Sequence, residues 1–213
     1  MIFLKNLTHK IKSILKPKEK KNWEDPALIL SANSIMSSPI WTEVPDLSNP
    51  KWLQEKEFSV YSQFGDDGII QFLINLLNLK KKDGKFIEFG VADYFESNTH
   101  FLLINNRWRG FVMDADSKNM SILKSSPIFW KYNLKTKSEF ITRENIQNLL
   151  KSSSFDKIEL LHIDLDGNDY WIIDSLDLAT LNPDILILEY NAVFGPDKFI
   201  SIPYNDKFNR FDA

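Results

Sequence analysis

Four acidic residues stand at the ends of four apolar runs in this 213-residue chain. The runs are 86–87, 111–113, 160–163 and 185–188, and they end on Glu88, Asp114, Asp164 and Glu189 respectively. Continuous hydrophobicity is typical of strands buried on both faces of a parallel sheet, so the carboxylates would gather along its carboxyl edge. Because an unpaired buried carboxylate is costly, this row predicts a polar, partly cationic ligand such as a ribose, an ammonium or sulfonium group, or a metal ion.

The densest polar cluster is the segment 164–171, Asp-Leu-Asp-Gly-Asn-Asp-Tyr-Trp. It lacks the glycine and glutamate spacing of a calcium-binding loop. Asp164 and Asp166 could instead combine with Glu189 and Asn191, at the neighbouring strand end, to hold a hard divalent cation such as Mg²⁺. The alternative is that the segment only organises its own loop and caps the following helix.

The loop after the first apolar run contains Gly90, which would let the backbone turn and approach a ligand. Ser97 or Asn98 would cap the next helix and present free amides. The pyrophosphate motif G-x-G-x-x-G is absent because residues 91–95 are bulky, which argues against a dinucleotide. Asp114 stands where doubly wound folds place the acid that binds ribose hydroxyls, the alternative being a helix-capping role.

These residues need a scaffold of alternating strands and helices. Helical spacing of apolar residues predicts helices over 66–79, from about 97, and over about 116–125, 142–151 and 170–176. Four strands end at the carboxylates, and a weaker strand is predicted at about 129–134. Such alternation predicts an α/β fold with a doubly wound, mainly parallel sheet.

The composition restricts the class of protein. A hydrophobic content of 43% over 213 residues supports one main domain. Residues 23–213 carry 19 basic and 28 acidic side chains, a net charge of −9, which argues against a nucleic-acid surface. The chain has no cysteine, so a disulfide framework, a thiolate zinc site and a cysteine nucleophile are excluded.

Three parts follow one another along the chain. Residues 1–22 hold seven Lys and one Glu among helically spaced apolar residues, and predict a basic amphipathic helix for an anionic membrane surface or for packing on protein. Residues 23–57 lack a sustained period and predict a linker or wrapping arm. Residues 58–213 hold the main domain. No signal peptide or membrane span is predicted, so we expect a cytoplasmic protein, peripheral to the membrane if the first helix binds it.

Several motifs resemble, in order and spacing, the FkbM-like branch of class I S-adenosylmethionine-dependent methyltransferases. The resemblance spans residues 58 to 213 and rests on these stretches: Tyr61-Ser62-Gln63-Phe64-Gly65-Asp66-Asp67-Gly68-Ile69, Phe86-Ile87-Glu88-Phe89-Gly90, Ser97-Asn98-Thr99, Ile163-Asp164-Leu165-Asp166-Gly167-Asn168-Asp169-Tyr170 and Glu189-Tyr190-Asn191. It implies a Rossmann-like methyltransferase fold that binds S-adenosylmethionine across the strand ends.

The resemblance also implies roles for particular residues. The implied cofactor-binding residues are Gln63, Asp67, Glu88, Gly90, Asn98, Asp114 and Asp164, with Gln63 and Asp67 closing over the methionine end. The expected catalytic residues are Asp164 and Asp166, and the expected metal ligands are Asp164, Glu189 and Asn191. The family fold continues after its fifth strand with a helix and an antiparallel hairpin, whereas this chain reaches Ala213 without them, so we expect a C-terminally incomplete domain.

The favoured prediction is therefore O-methylation of a hydroxyl on a sugar, polysaccharide or secondary metabolite. The partners would be a small-molecule or glycan acceptor and no nucleic acid. Two alternatives stay open: a non-catalytic or partner-completed Rossmann-like module at a membrane surface, and a nucleotide-dependent sugar oxidoreductase or epimerase.

Overall fold

Five parallel strands form the centre of the computed structural model, which describes residues 22–41, 43–49, 51–79, 83–189, 197–198 and 200–208. The strands are β1 (Lys85–Phe89), β2 (Arg109–Asp114), β3 (Leu134–Ser138), β4 (Leu160–Ile163) and β5 (Ile185–Leu188). Their order is β3-β2-β1-β4-β5, and every neighbouring pair is parallel. This is the Rossmann-like order 3-2-1-4-5, so the predicted α/β fold is confirmed.

The three central strands are buried on both faces, as their continuous hydrophobicity predicts. Phe86 of β1 packs in one core with Val112 and Leu160. Ile87 and Phe89 of the same strand pack in a second core on the opposite face. Strand β5 lies at the edge of the sheet, where Leu186 and Leu188 stay partly exposed.

Seven α-helices of the described residues flank the sheet or precede it. They are α1 (Pro26–Met36), α2 (Asp66–Leu76), α3 (Ser117–Lys124), α4 (Pro127–Lys131), α5 (Ile146–Ser152), α6 (Asp169–Asp174) and α7 (Leu178–Leu181). Helix α3 begins at an N-cap, Asp116, whose carboxylate accepts a hydrogen bond from Lys118 N. A π-helix, Leu102–Asn106, occupies the place of the helix predicted from about residue 97.

The segment 23–57, predicted as a linker or wrapping arm, contains helix α1, which the sequence analysis did not predict. Asp25 caps this helix by accepting hydrogen bonds from Ala27 N and Leu28 N, and proline stands at its first position. The Asp25 amide donates to the Tyr61 hydroxyl (3.0 Å), and the Ala32 side chain is buried. The described part of this segment therefore packs on the main domain.

The third strand was placed too early by the sequence analysis. Residues predicted as strand at 129–134 lie largely in helix α4, and β3 begins at Leu134. Pro127 stands at the first position of α4, where its fixed φ favours the helix. Strand β3 is an edge strand whose sequence, Leu-Lys-Thr-Lys-Ser, contains one apolar residue, so it shows no continuous apolar run.

Two other expectations fall wholly or partly outside the described residues. The predicted basic helix of residues 1–22 lies almost entirely outside the described residues. After β5, the described residues contain no further helix or strand. Within the described part of the chain, no helix has the length and apolar character needed to cross a membrane.

Candidate functional site

Two cavities open at the carboxyl edge of the sheet. The first, here the β2-side cavity, has a volume of about 560 Å³ and is lined by Gly90, Ala92, Asp114, Ala115, Glu139, Phe140, Ile141, Asp164, Leu165, Asp166, Asn168, Asp206, Lys207 and Phe208. The second, the β5-side cavity, has about 360 Å³ and is lined by Gln63, Phe64, Asp66, Glu88, Gly90, Val91, Glu96, Ser97, Asn98, His162, Asp164, Ile187, Leu188 and Glu189. The two linings share Gly90 and Asp164, so the cavities meet between β1 and β4.

Gly90 allows the loop after β1 to cross the end of β4. Its φ is +76°, and a Cβ at this position would lie 1.6 Å from the Asp164 carbonyl oxygen. Its amide donates to Met113 O (2.9 Å), which ties the loop to β2. Any other residue would push the loop away from Asp164. The structure thus confirms the turn expected of Gly90 and places it between the two cavities.

Glu88 is buried at the carboxyl end of β1, with 2% of its surface exposed. The carboxylate accepts hydrogen bonds from Ser97 Oγ (2.6 Å), Asn98 N (3.2 Å), His162 Nδ1 (2.9 Å) and the Thr99 hydroxyl. These four donors can use the acceptor capacity of a carboxylate. Glu88 therefore orders the segment 97–99 and pairs with β4, although it also borders the β5-side cavity.

Glu88 and His162 form a buried ion pair. The two residues are neighbours in the register of β1 and β4. Burial raises the pKa of Glu88, but the hydrogen bond and charge of His162 outweigh burial, so the pKa lies below its ordinary value. Burial lowers the pKa of His162, but Glu88 outweighs it, and the pKa lies above 6.5. His162 is buried and bonded, and it also lines the β5-side cavity.

Asp114 lies at the end of β2 and borders the β2-side cavity. Its Oδ2 accepts a hydrogen bond from Ala92 N and its Oδ1 one from Asp116 N, both at 2.8 Å. The side chain therefore joins the loop after β1 to the start of α3. A carboxylate has about four acceptor positions, so two contacts leave it able to bind a hydroxyl in the cavity.

Three carboxylates converge beside the junction of the cavities. Asp164, Asp166 and Glu189 each offer an oxygen within 4.8 Å of the others. Asp164 is half-buried, and burial raises its pKa, as do the charges of Asp166 and Asp169, against the opposing effect of His162. Oxygen donors at this spacing fit a hard divalent cation. The fourth predicted ligand, Asn191, lies outside the described residues.

Asp169 organises the loop that carries this cluster. Its two oxygens accept hydrogen bonds from Leu165 N (2.8 Å) and Gly167 N (2.9 Å). Asp166 adopts a left-handed conformation, with φ of 54°. Asp169 therefore organises the loop, whereas Asp164 and Asp166 belong to the acidic cluster. The two roles considered for this segment fall on different residues.

Asp67 does not lie where the sequence analysis predicted. It was expected to close over a ligand, but it lines neither cavity and is 1% exposed. Its Oδ2 accepts hydrogen bonds from the amides of Val60 (2.7 Å), Tyr61 (2.7 Å) and Ser62 (2.8 Å), so it holds the turn before α2. Its neighbour Asp66, which the sequence analysis did not select, faces the β5-side cavity together with the exposed Gln63.

A C-terminal segment that no sequence motif indicated covers the β2-side cavity. Residues 200–208, here the strap, contribute Asp206, Lys207 and Phe208 to its lining. Trp171 Nε1 donates to Ile202 O (2.7 Å), and the Tyr204 hydroxyl donates to Glu144 Oε2 (3.2 Å). The strap is thus anchored both to α6 and to the residues before α5.

Comparisons with known proteins find a likeness among solved structures and none by sequence. No family model matches the chain, and no curated protein matches it significantly. Among solved structures, the chain is similar to the O-methyltransferase from Bacillus cereus in complex with SAH, with a TM-score of 0.38 and 15% sequence identity. The alignment covers 80% of this chain and 66% of that one, so this chain spans slightly less than two thirds of that protein. A likeness this weak does not bear on function, and the FkbM-like resemblance rests on the motifs alone.

Proposed function

We propose that this protein is an S-adenosylmethionine-dependent methyltransferase that acts on a hydroxyl of a small-molecule or glycan acceptor. The observation that carries the proposal is the junction of two cavities at Gly90 and Asp164, on the carboxyl edge of a parallel sheet. Open α/β sheets bind ligands at this edge. Group transfer between two substrates requires that both reach one point with their reacting atoms aligned.

The β2-side cavity suits the nucleoside part of the cofactor. Its volume of about 560 Å³ lies within the range of small-molecule sites. Asp114 offers carboxylate oxygens to ribose hydroxyls, and Phe140 with Ile141 offers apolar surface to a base. The predicted cofactor residues Gln63, Glu88 and Asn98 border the β5-side cavity. A cofactor that contacts Asp114 and also these residues must therefore pass Gly90.

The carboxylates at the junction suit the charge of the cofactor. Asp164 belongs to both cavities, and Asp166 and Glu189 have oxygens within 4.8 Å of it. A sulfonium group is a cation, and a half-buried carboxylate binds a cation more strongly than an exposed one does. We therefore assign Asp164 to the sulfonium end of the cofactor, and the β5-side cavity to the acceptor together with the methionine end of the cofactor.

When bound, S-adenosylmethionine supplies a methyl group on a positively charged sulfur. Asp164 holds the two reactants in line at the junction. Asp166 accepts the proton of the acceptor hydroxyl as the C–O bond forms and the C–S bond breaks. The products are a methyl ether, S-adenosylhomocysteine and a proton that Asp166 returns to solvent.

The same carboxylates fit a Mg²⁺ ion. Asp164 and Glu189 would hold it, with an Asp166 oxygen within 4.8 Å of both, and a divalent cation there would lower the pKa of a coordinated hydroxyl. With the ion present, Asp164 and Glu189 serve as ligands and the need for Asp166 as a base decreases. Activity that survives EDTA would remove the ion from the proposal and leave Asp166 as the base.

Calorimetric titration tests the cofactor. S-adenosylmethionine and S-adenosylhomocysteine should bind with micromolar affinity, and NAD should not. Binding of NAD alone would favour a nucleotide-dependent oxidoreductase, and binding of none of the three by folded protein would favour a non-catalytic module. Transfer of a labelled methyl group to a panel of sugars and hydroxylated metabolites then identifies the acceptor.

A further inference from the structure

Asn168 has one half of its amide bonded and the other half without a partner. The side chain is buried, with 5% of its surface exposed, and lines the β2-side cavity. Its Nδ2 donates to Asn205 O in the strap (2.9 Å). Its Oδ1 is buried and has no hydrogen-bond partner among the residues that the structure describes.

The chemistry of the partners determines which end of the amide faces the strap. A backbone carbonyl only accepts hydrogen bonds, so the NH₂ group of Asn168 must face Asn205 O. Reversing the amide would place two acceptors together and lose this bond. Oδ1 is therefore an acceptor on a side chain that lines the cavity, and a buried acceptor without a donor is costly.

The strap depends on this contact and on a small number of others. Trp171 Nε1 bonds Ile202 O, and Gly167 allows the strap to approach, since a Cβ there would lie 2.7 Å from Phe208 Cε1. Phe208 and Lys207 form part of the cavity wall. Occupancy of the cavity and the position of the strap therefore involve the same few side chains.

We infer that Asn168 is a binding residue that couples the ligand of the β2-side cavity to the strap. Its Oδ1 accepts a hydrogen bond from an N–H or O–H group of the nucleoside, while its Nδ2 holds Asn205 O. The inference rests on the proposed function for the identity of the ligand. Because coupling is reciprocal, the ligand stabilises the closed strap and the closed strap strengthens ligand binding.

Hydrogen exchange and calorimetry with S-adenosylhomocysteine test this coupling. In the wild type, saturating S-adenosylhomocysteine should slow amide exchange in residues 200–208. Asn168→Ala should weaken binding roughly tenfold, the loss of one to two hydrogen bonds, and should abolish the slowing even at saturation. Asn33→Ala removes an amide on α1 that bonds Asn105 Oδ1 far from the cavities, and should change neither quantity.

A second pair of variants covers the case in which Asn168→Ala does not fold. Trp171→Phe removes the indole N–H that bonds Ile202 O and should raise strap exchange and weaken binding several-fold. Trp130→Phe, at a tryptophan that is 82% exposed, should do neither. Asn168→Ser gives a smaller side chain that cannot bridge and should behave like the alanine variant.

Each outcome has one meaning. If the wild type binds S-adenosylhomocysteine and the folded Asn168 variants keep the same affinity and the same protection of the strap, the coupling is overturned. The proposed function then remains intact. If only the tryptophan variants can be measured, unchanged binding by Trp171→Phe overturns the coupling. Failure of the wild type to bind S-adenosylmethionine or S-adenosylhomocysteine overturns the proposed function and this inference together.

Discussion

Substitution of Gly90 by alanine should disrupt both cavities while leaving most of the fold in place. The φ of +76° is a conformation that costs an alanine roughly 1–2 kcal/mol. The added Cβ would lie 1.6 Å from the Asp164 carbonyl oxygen, whereas Cβ contacts under 3.0 Å essentially never occur. The loop or the end of β4 must therefore move by more than about 1 Å.

The displacement falls where the reactants would meet. A movement of about 1 Å at reacting groups lowers turnover by on the order of a hundredfold. Strain and overpacking together should lower the free energy of unfolding by about 3 kcal/mol. Because Gly90 borders both cavities, the variant should also bind S-adenosylhomocysteine more weakly. The affinity should fall at least about tenfold, which corresponds to about 1.4 kcal/mol of lost contact.

Gly65→Ala provides the matched control. Gly65 also has a positive φ, +91°, but an added Cβ would lie 2.9 Å from Glu57 Cβ, an overlap far smaller than the one at Gly90, and Gly65 lines neither cavity. This variant should lose about 1 kcal/mol of stability and keep its affinity. Urea denaturation and calorimetry of both variants measure the two effects. Equal affinities in Gly90→Ala and Gly65→Ala would refute the assignment of Gly90 to the junction.

Three further outcomes are expected. Asp164→Asn should abolish methyl transfer with little change in thermal stability. Asp184→Asn, at the amino end of β5 and away from the cavities, should retain activity. Turnover by Asp164→Asn would contradict the mechanism. Glu88→Gln should lower the free energy of unfolding by on the order of 3 kcal/mol in urea titrations, because it breaks a buried ion pair; a loss of binding without a loss of stability would instead make Glu88 a direct ligand contact. Burial lowers the pKa of His100 from 6.5 to about 4, so between these pH values the unfolded chain binds a proton that the folded chain does not. Acidification from pH 7 to pH 5 should therefore lower the free energy of unfolding by about 2 kcal/mol. Urea titrations of His100→Gln at both pH values should lack this contribution, and an equal pH dependence in the two proteins would rule it out.

The sheet could be predicted from the sequence because its centre is uniformly apolar. Strands β1, β2 and β4 are covered on both faces, so each contains a run of hydrophobic residues, and a carboxylate lies at or next to the end of each strand. The edge strand β3 contains one apolar residue, Leu134, so the apolar residues of the adjacent helix α4 were assigned to the strand instead. Helix α1 was missed because several of its apolar residues, including Leu28, Leu30 and Ile35, remain exposed and give it no clear apolar face.

The convergence of the site was predictable for the same reason. Parallel strands bring their carboxyl ends to one edge, so Glu88, Asp114 and Asp164 were expected to lie together. The strap was not predictable, because its contacts are mainly side-chain bonds to backbone carbonyls such as Ile202 O and Asn205 O. Any residue provides a carbonyl, so no residue type in the strap indicates the contact.

Individual roles within the acidic set depend on which donors surround each carboxylate. Asp67 faces three backbone amides and holds a turn, and Glu88 faces three side chains and an amide and joins two strands. Asp164 instead stands among other carboxylates at a cavity junction, where burial raises its pKa. Glu88 is satisfied by the protein itself, and Asp67 is bonded through one oxygen while its Oδ1 is buried without a partner among the described residues. Asp164 borders both cavities, where a cation from outside can reach its charge. All three residues are acids, so the arrangement of donors and cavities in the folded chain is what separates the carboxylates that stabilise the site from the one that can act in it.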